Sequence, residues 1–185
     1  MTVSRLPPVQ FTHAGVFVTD LDRAERFYTD VLGFIASDRG VASTGHRLVF
    51  LTEDPQMHHQ LVIFSGNPGN LPFNTVNQLS FLLKSLEDLR TYFQLLTQRG
   101  YGPLDQVDHG NAWSVYFRDP DANPIELYVD TPFYTPQPCK EPLDLRQSPA
   151  EILERTERMC RARKGFLTRD EWMETIRRRL LAERR

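Results

Sequence analysis

Histidine, glutamine and glutamate stand at matching places in the two halves of this chain. His13 precedes Gln78 by 65 residues and Gln60 precedes Glu126 by 66, each within or beside a run suited to a β-strand. If an internal repeat relates the halves, a pseudo-two-fold brings four donors from four strands to one axis. Imidazole nitrogen, amide oxygen and carboxylate oxygen together suit a borderline divalent metal that keeps open positions. Glu126, flanked by Ile125 and Leu127, must be paired or coordinated if it points into a core. The stretch "MHHQLVIF" adds His58 and His59 at the head of an apolar run. Successive strand residues face opposite sides, so His59 and Gln60 do not both face one site in a regular strand. The repeat offset favours Gln60; a bulge, or a strand starting at Gln60, would let His59 lean in instead.

The repeat that would position these groups is visible in the chain. "FTHAGVFVTDLDRAERFYTDVLGF" and "VNQLSFLLKSLEDLRTYFQLLTQRGY" share a strand-like opening followed by helical spacing. Leu21, Ala24, Phe27, Tyr28 and Val31 mark the first helix, and Leu86, Leu89, Tyr92, Phe93 and Leu96 the second. Gly33 and Gly100 fall where each helix would end. "RLVFLT" and "AWSVYFRD" are further strand-like runs, and each copy closes in a strand, "HQLVIF" or "PIELYV". The expectation is an α+β fold of two βαβββ modules, residues 10–66 and 75–132, whose half-exposed sheets pair to form a shared cleft. A Pro-rich linker (133–147) and a C-terminal helical extension (148–185) follow. Ser148-Pro149-Ala150-Glu151 and Thr168-Arg169-Asp170-Glu171 are capping boxes that open two helices. Ile152, Leu153, Met159 and Cys160 mark the apolar face of one; Trp172, Met173, Ile176, Leu180 and Leu181 mark that of the other. Their remaining surface is Arg-rich and reads as a solvated face, with the apolar stripe packed on the modules or across a homodimer.

Composition narrows the class. With 185 residues, 40% apolar, the chain can bury a real core, and a net charge of −2 gives no electrostatic case for nucleic acid. "MTVSRLPPVQ" lacks the apolar run of a signal peptide, and no segment has the length of a membrane span. Cys139 and Cys160 match neither a zinc spacing nor a disulfide framework, and read as reduced thiols. The expected setting is cytoplasmic.

His13, "DLDRAERFYTDVLGF" and "YFRDPDANPIELY" together resemble the vicinal oxygen chelate superfamily. That superfamily includes glyoxalase I, fosfomycin and bleomycin resistance proteins, methylmalonyl-CoA epimerase and type I extradiol dioxygenases. The resemblance covers roughly residues 10–132, and "RDPDANPIEL" is close to the signature Asp-Pro-x-Gly-Asn-x-x-Glu, with Ala122 where glycine is usual. The resemblance is strongest to the catalytic half of dioxygenases that cleave 2,3-dihydroxybiphenyl and other catechols. It implies His13 and Glu126 as metal ligands and His59 as the acid–base histidine. It places His109 behind the ligands and Tyr116 where a hydroxyl bonds the substrate, with Asn111 and Trp113 beside the substrate. The place of a second histidine ligand is held by Gln78, in Gln78-Leu79-Ser80-Phe81. Some glyoxalases and epimerases of the superfamily use glutamine there, although an amide oxygen is a weaker, harder donor than imidazole.

The resemblance thus implies a ring-cleaving dioxygenase of a small aromatic substrate with O2 and a divalent metal, Fe(II) first, Mn(II) or Zn(II) as alternatives. Two other readings accompany it. One is a non-redox glyoxalase- or epimerase-type lyase or isomerase, with Gln60 as an additional metal ligand. The other is a resistance-type protein that binds a small molecule without turnover.

Overall fold

A computed structural model describes residues 10–69 and 76–183. The N-terminal stretch before Gln10 and the residue-75 start expected for the second module lie outside the described residues. Two compact units emerge. One contains described residues 10–69, 76–77 and 118–123; the other contains 78–117 and 124–183.

The first unit is built from β1 (Ala14–Val18), α1 (Leu21–Asp30), β2 (Ile35–Val41), β3 (Arg47–Thr52) and β4 (Leu61–Ser65). Its sheet runs β1-β4-β3-β2, with β1 parallel to β4 and the other pairs antiparallel. Strand alternation sends Val16, Val18, Val49, Leu51 and Ile63 to one face, all at most 5% exposed. The buried stripe of α1, Leu21, Ala24, Phe27 and Tyr28, covers that face. Each such large side chain contributes about 1.5–3 kcal/mol on full burial. The opposite face carries Gly15, Phe17, Leu48, Phe50, Val62 and Phe64. Asp20 caps α1 by accepting from the Arg23 N–H.

Residues 118–123 belong with this unit through Asp119. Its carboxylate accepts from the Tyr28 hydroxyl (2.9 Å), the Asn123 amide (2.8 Å) and the backbone N–H groups of Asp121 (2.9 Å) and Asn123 (2.8 Å). Burial raises the Asp119 carboxyl, against the lowering effect of these bonds. Asp121 accepts from the Thr19 N–H at 2.6 Å. The signature "DPDAN" is therefore a structural clasp on α1. Ala122 adopts φ 62°, the left-handed region that glycine occupies without a Cβ clash.

The second unit repeats the plan: β5 (Leu79–Leu82), α2 (Leu86–Gln98), β6 (Asp105–Asp108), β7 (Ala112–Arg118) and β8 (Pro124–Asp130). Its strand order, β6-β7-β8-β5, matches β2-β3-β4-β1 of the first, and β5 again lies parallel to β8. Two βαβββ modules are present as expected. Gly33 (φ 78°) and Gly100 (φ 74°) take the left-handed turn after α1 and α2.

The Pro-rich tract is more ordered than a linker. It contains β9 (Phe133–Tyr134) and β10 (Glu141–Pro142), and buries Cys139, Leu143 and Leu145. β10 extends the sheet beside β6, and Leu145 N–H donates to the Gln106 amide oxygen at 2.9 Å. Prolines are tolerated because β10 is an edge strand. Beyond the tract come α3 (Pro149–Arg161), β11 (Leu167–Thr168), which pairs with β9, and α4 (Arg169–Glu183). Both capping boxes form: Ser148 and Glu151, and Thr168 and Glu171, each exchange side-chain and backbone bonds. On α3 the buried stripe is Ile152, Thr156 and Cys160, whereas Leu153, expected inside, is exposed. Cys139 and Cys160 are both free and buried; burial raises both thiols, Cys160 to about 12. No helix among the described residues is long and apolar enough to cross a membrane.

Candidate functional site

In the second unit, alternation places Gln78, Ser80, Ser114, Tyr116 and Glu126 on the same face of the sheet. The β5–β8 register sets Ser80 opposite Glu126. Glu126 is only 7% exposed, and both its oxygens are satisfied. Oε1 accepts from the hydroxyls of Ser114 (2.8 Å) and Tyr116 (2.5 Å); Oε2 accepts from Ser80 (2.5 Å) and the Gln78 amide nitrogen (2.8 Å). Burying a carboxylate without such partners would cost several kcal/mol. Burial, and then the hydrogen bond and charge of Glu126, raise the Tyr116 phenol well above its usual range, so it stays a donor.

His109 extends this network. Its Nε2 lies 2.9 Å from the Tyr116 hydroxyl and its Nδ1 lies 2.6 Å from the Cys139 carbonyl oxygen. A carbonyl only accepts, so Nδ1 carries a hydrogen. Gln137 steadies the loop by donating to the His109 carbonyl (2.8 Å) and to the Asn111 side-chain oxygen (3.1 Å). Sequence reasoning found Gln78, His109, Tyr116 and Glu126 but missed Ser80 and Ser114. Counting two along each strand, from Gln78 and back from Tyr116, would have found both.

Trp113 does not lie where a substrate contact was expected. It shares the inward face of β7 with Val115 and Phe117, is 4% exposed, and donates its indole N–H to Thr156 of α3 at 2.7 Å. Thr156 in turn donates to the buried Asp108 at 2.5 Å. The residue is a strut for α3.

The first unit gathers three imidazoles. His13 and His59 rings are 4.3 Å apart between centroids, and the Nδ1 atoms of His58 and His59 are 2.9 Å apart. Phe50 meets both His58 and His59 edge-on. The His13 Nδ1 lies 3.0 Å from the Thr12 hydroxyl. Partial burial, then the neighbouring charges of His13 and His58, lower the His59 imidazole below its ordinary value, favouring a neutral base. β4 begins at Leu61, so His59 and Gln60 precede the regular strand. The Gln60 amide oxygen accepts the Glu53 N–H at 2.9 Å.

Among the described residues no three His, Cys, Asp or Glu side chains gather in ligating geometry. The second unit nevertheless offers an amide and a carboxylate 2.8 Å apart. Two oxygens on adjacent corners of a divalent ion with bonds of 2.0–2.1 Å stand about 3 Å apart. Turning the Gln78 amide over would present its oxygen and free one lone pair of Glu126 Oε2. This pair fits a hard or borderline divalent cation.

Comparison with known proteins agrees with this architecture. The chain is 32% identical over 133 residues to biphenyl-2,3-diol 1,2-dioxygenase 3 of Rhodococcus globerulus, covering 69% of this chain and 66% of that protein. It is 31% identical over 138 residues to catechol-2,3-dioxygenase of Bacillus subtilis, covering 70% and 46%. It thus spans slightly under two thirds of the first and about half of the second. Among solved structures, a glyoxylase/bleomycin resistance protein/dioxygenase domain from Frankia sp. EAN1pec superposes with TM-score 0.55 at 26% identity, covering 68% of this chain and 99% of that one. The fosfomycin resistance protein FosX of Listeria monocytogenes, in complex with Mn(II) and sulfate, shares the fold at TM-score 0.52 and 20% identity, covering 68% and 95%. The family pattern matches residues 10–127, more than half the chain, so the protein belongs to the Glyoxalase/Bleomycin resistance protein/Dioxygenase superfamily.

Proposed function

We propose that the chain is a metal-dependent ring-cleaving dioxygenase of the extradiol type, or a close relative, acting on a catechol-like aromatic with O2. The observation that carries the reading is the Glu126–Tyr116–His109 chain of hydrogen bonds, formed by the residue types expected for that chemistry. Within the second unit, Gln78 and Glu126 would hold a divalent metal, with iron(II) as the first choice. When bound, the metal would supply Lewis acidity towards the phenolic oxygens and redox chemistry towards O2.

The chain's own residues perform the proton work. His59, held neutral, accepts a proton from the substrate hydroxyl at a ring nitrogen and later returns one. Tyr116, whose one hydrogen Glu126 holds here, would turn it to the substrate oxygen as negative charge develops there. His109 stands behind Tyr116, its Nε2 against the hydroxyl, and Ser80 and Ser114 keep the Glu126 carboxylate oriented. Asn111, fixed by Gln137, presents a polar group beside His109.

Gln78 favours a second reading. An amide oxygen in place of imidazole makes the donor set harder, which suits Lewis-acid proton abstraction next to a carbonyl, as in a non-redox isomerase or lyase. Anaerobic loading with Fe(II) or Mn(II), then O2 uptake across a catechol panel, separates the two. Uptake supports ring cleavage; no uptake, with metal-dependent exchange of a carbon-bound proton into solvent, supports the second.

A further inference from the structure

The first unit contains a polar arrangement that the proton-transfer chemistry above does not use. β2 and β3 pair Ala36 with Leu51 and then Asp38 with Phe50, so Ser37 is an extra, bulged residue. A bulge re-aims the side chains beyond it. Here it puts Asp38 opposite Phe50, whose ring touches both His58 and His59. The bulged Ser37 donates its hydroxyl to the His58 carbonyl at 2.6 Å, fixing the histidine backbone. The Asp38 carboxylate lies 3.9 Å from His58 Nε2, and His58 Nδ1 lies 2.9 Å from His59 Nδ1.

The hydrogens on these rings follow from the order of the groups. A carboxylate beside Nε2 favours the hydrogen of His58 on that nitrogen, which is also the commoner tautomer of a free histidine side chain. His58 Nδ1 is then bare and accepts, so His59 must supply the hydrogen between the rings from its own Nδ1. That leaves His59 Nε2 bare.

We propose that Asp38 and His58 are positioning residues that fix His59 in its less common Nδ1–H tautomer, presenting Nε2 as the proton acceptor. When Nε2 takes a proton, the substrate O–H bond breaks, an N–H bond forms, and His59 becomes imidazolium. Its Nδ1–H remains bonded to the His58 lone pair, which steadies the cation, while the negative charge stays on the substrate oxygen. The inference rests on the reading of His59 as a base, but the tautomer is observable without turnover.

The test is a long-range ¹H–¹⁵N correlation spectrum of the full-length, histidine-labelled protein at a pH where the imidazoles are neutral, with His59 assigned from His59→Gln. Wild type should show His59 protonated at Nδ1. His58→Phe should move most of the population to Nε2–H. His58→Asn, whose amide oxygen sits near the place of Nδ1, should retain the Nδ1–H form. Asp38→Ala, an exposed change that spares the fold, should lower the Nδ1–H to Nε2–H ratio about two- to fivefold, the scale of an exposed ion pair. An Nε2–H tautomer in wild type, or an Nδ1–H tautomer unmoved by both His58→Phe and Asp38→Ala, would overturn the assignment. A protein with the stated tautomer that turns over no catechol would leave this inference standing and count against the functional reading.

Discussion

Gln78 donates its amide hydrogen to Glu126 Oε2 at 2.8 Å, so the residue expected to help hold a metal instead satisfies the carboxylate beside it. The same side chain can serve either role, because turning the amide over exchanges a donor for an acceptor. Gln78→His tests the second role. It should raise affinity for Fe(II) about tenfold or more, since imidazole is the better ligand for that ion. Isothermal titration under anaerobic conditions reads the change; unaltered affinity would remove Gln78 from the ligand set.

Glu126 accepts from four groups, and each donor should be felt in stability. Tyr116→Phe removes a charge-assisted bond and should lower unfolding free energy by about 1–3 kcal/mol. Urea denaturation measures it. Ser114→Ala should cost less, because Oε1 keeps its shorter bond from Tyr116 and His109 keeps its partner.

The His59 imidazole is lowered mainly by partial burial, so its base form persists to lower pH than that of an ordinary histidine, about 6.5. The acid limb of the rate–pH profile should therefore fall below that value. The sign for folding is the same: as pH drops, the unfolded chain takes up this proton first, so protonation works against the fold. A titration of His59 by NMR that placed it above an ordinary histidine would contradict this.

Thr156 accepts the Trp113 indole hydrogen and passes its own to Asp108. Replacing it with valine strands two buried polar groups and should destabilise by about 2–4 kcal/mol. Loss of near-ultraviolet circular dichroism from Trp113 at lower denaturant concentration would show it.

Ala122 stands in a left-handed conformation at φ 62°, a region that glycine adopts without a Cβ clash. Ala122→Gly should be neutral to about 1 kcal/mol stabilising, relief of strain being offset in part by backbone entropy. Ala122→Val should be clearly destabilising, because a branched side chain there is more strongly strained. Thermal melts should place Ala122→Gly at or above the wild-type midpoint and Ala122→Val below it.

Much of this was legible before the structure. The matched spacing of His13 with Gln78 and Gln60 with Glu126 revealed two modules of one plan, and helical spacing located α1 and α2. Period-two alternation also decides the place of Trp113. Trp113 lies one residue from Ser114 and so on the other face, which sends it into the core rather than towards a substrate. Ser80 and Ser114 were hidden because serine carries no signal until a carboxylate is known to sit opposite. Asp38 was not legible, since its direction depends on a single bulged residue that no pattern marks. Gln60 matched the repeat, yet the turn before β4 claims its amide oxygen for Glu53 N–H.

Oxygen consumption by the Fe(II)-loaded protein, with 2,3-dihydroxybiphenyl and simpler catechols as substrates, tests the central proposal most directly. The account predicts one O2 consumed per catechol, a yellow ring-opened product, and loss of activity in Glu126→Gln. Stoichiometric Fe(II) binding with no O2 uptake across the panel would contradict it.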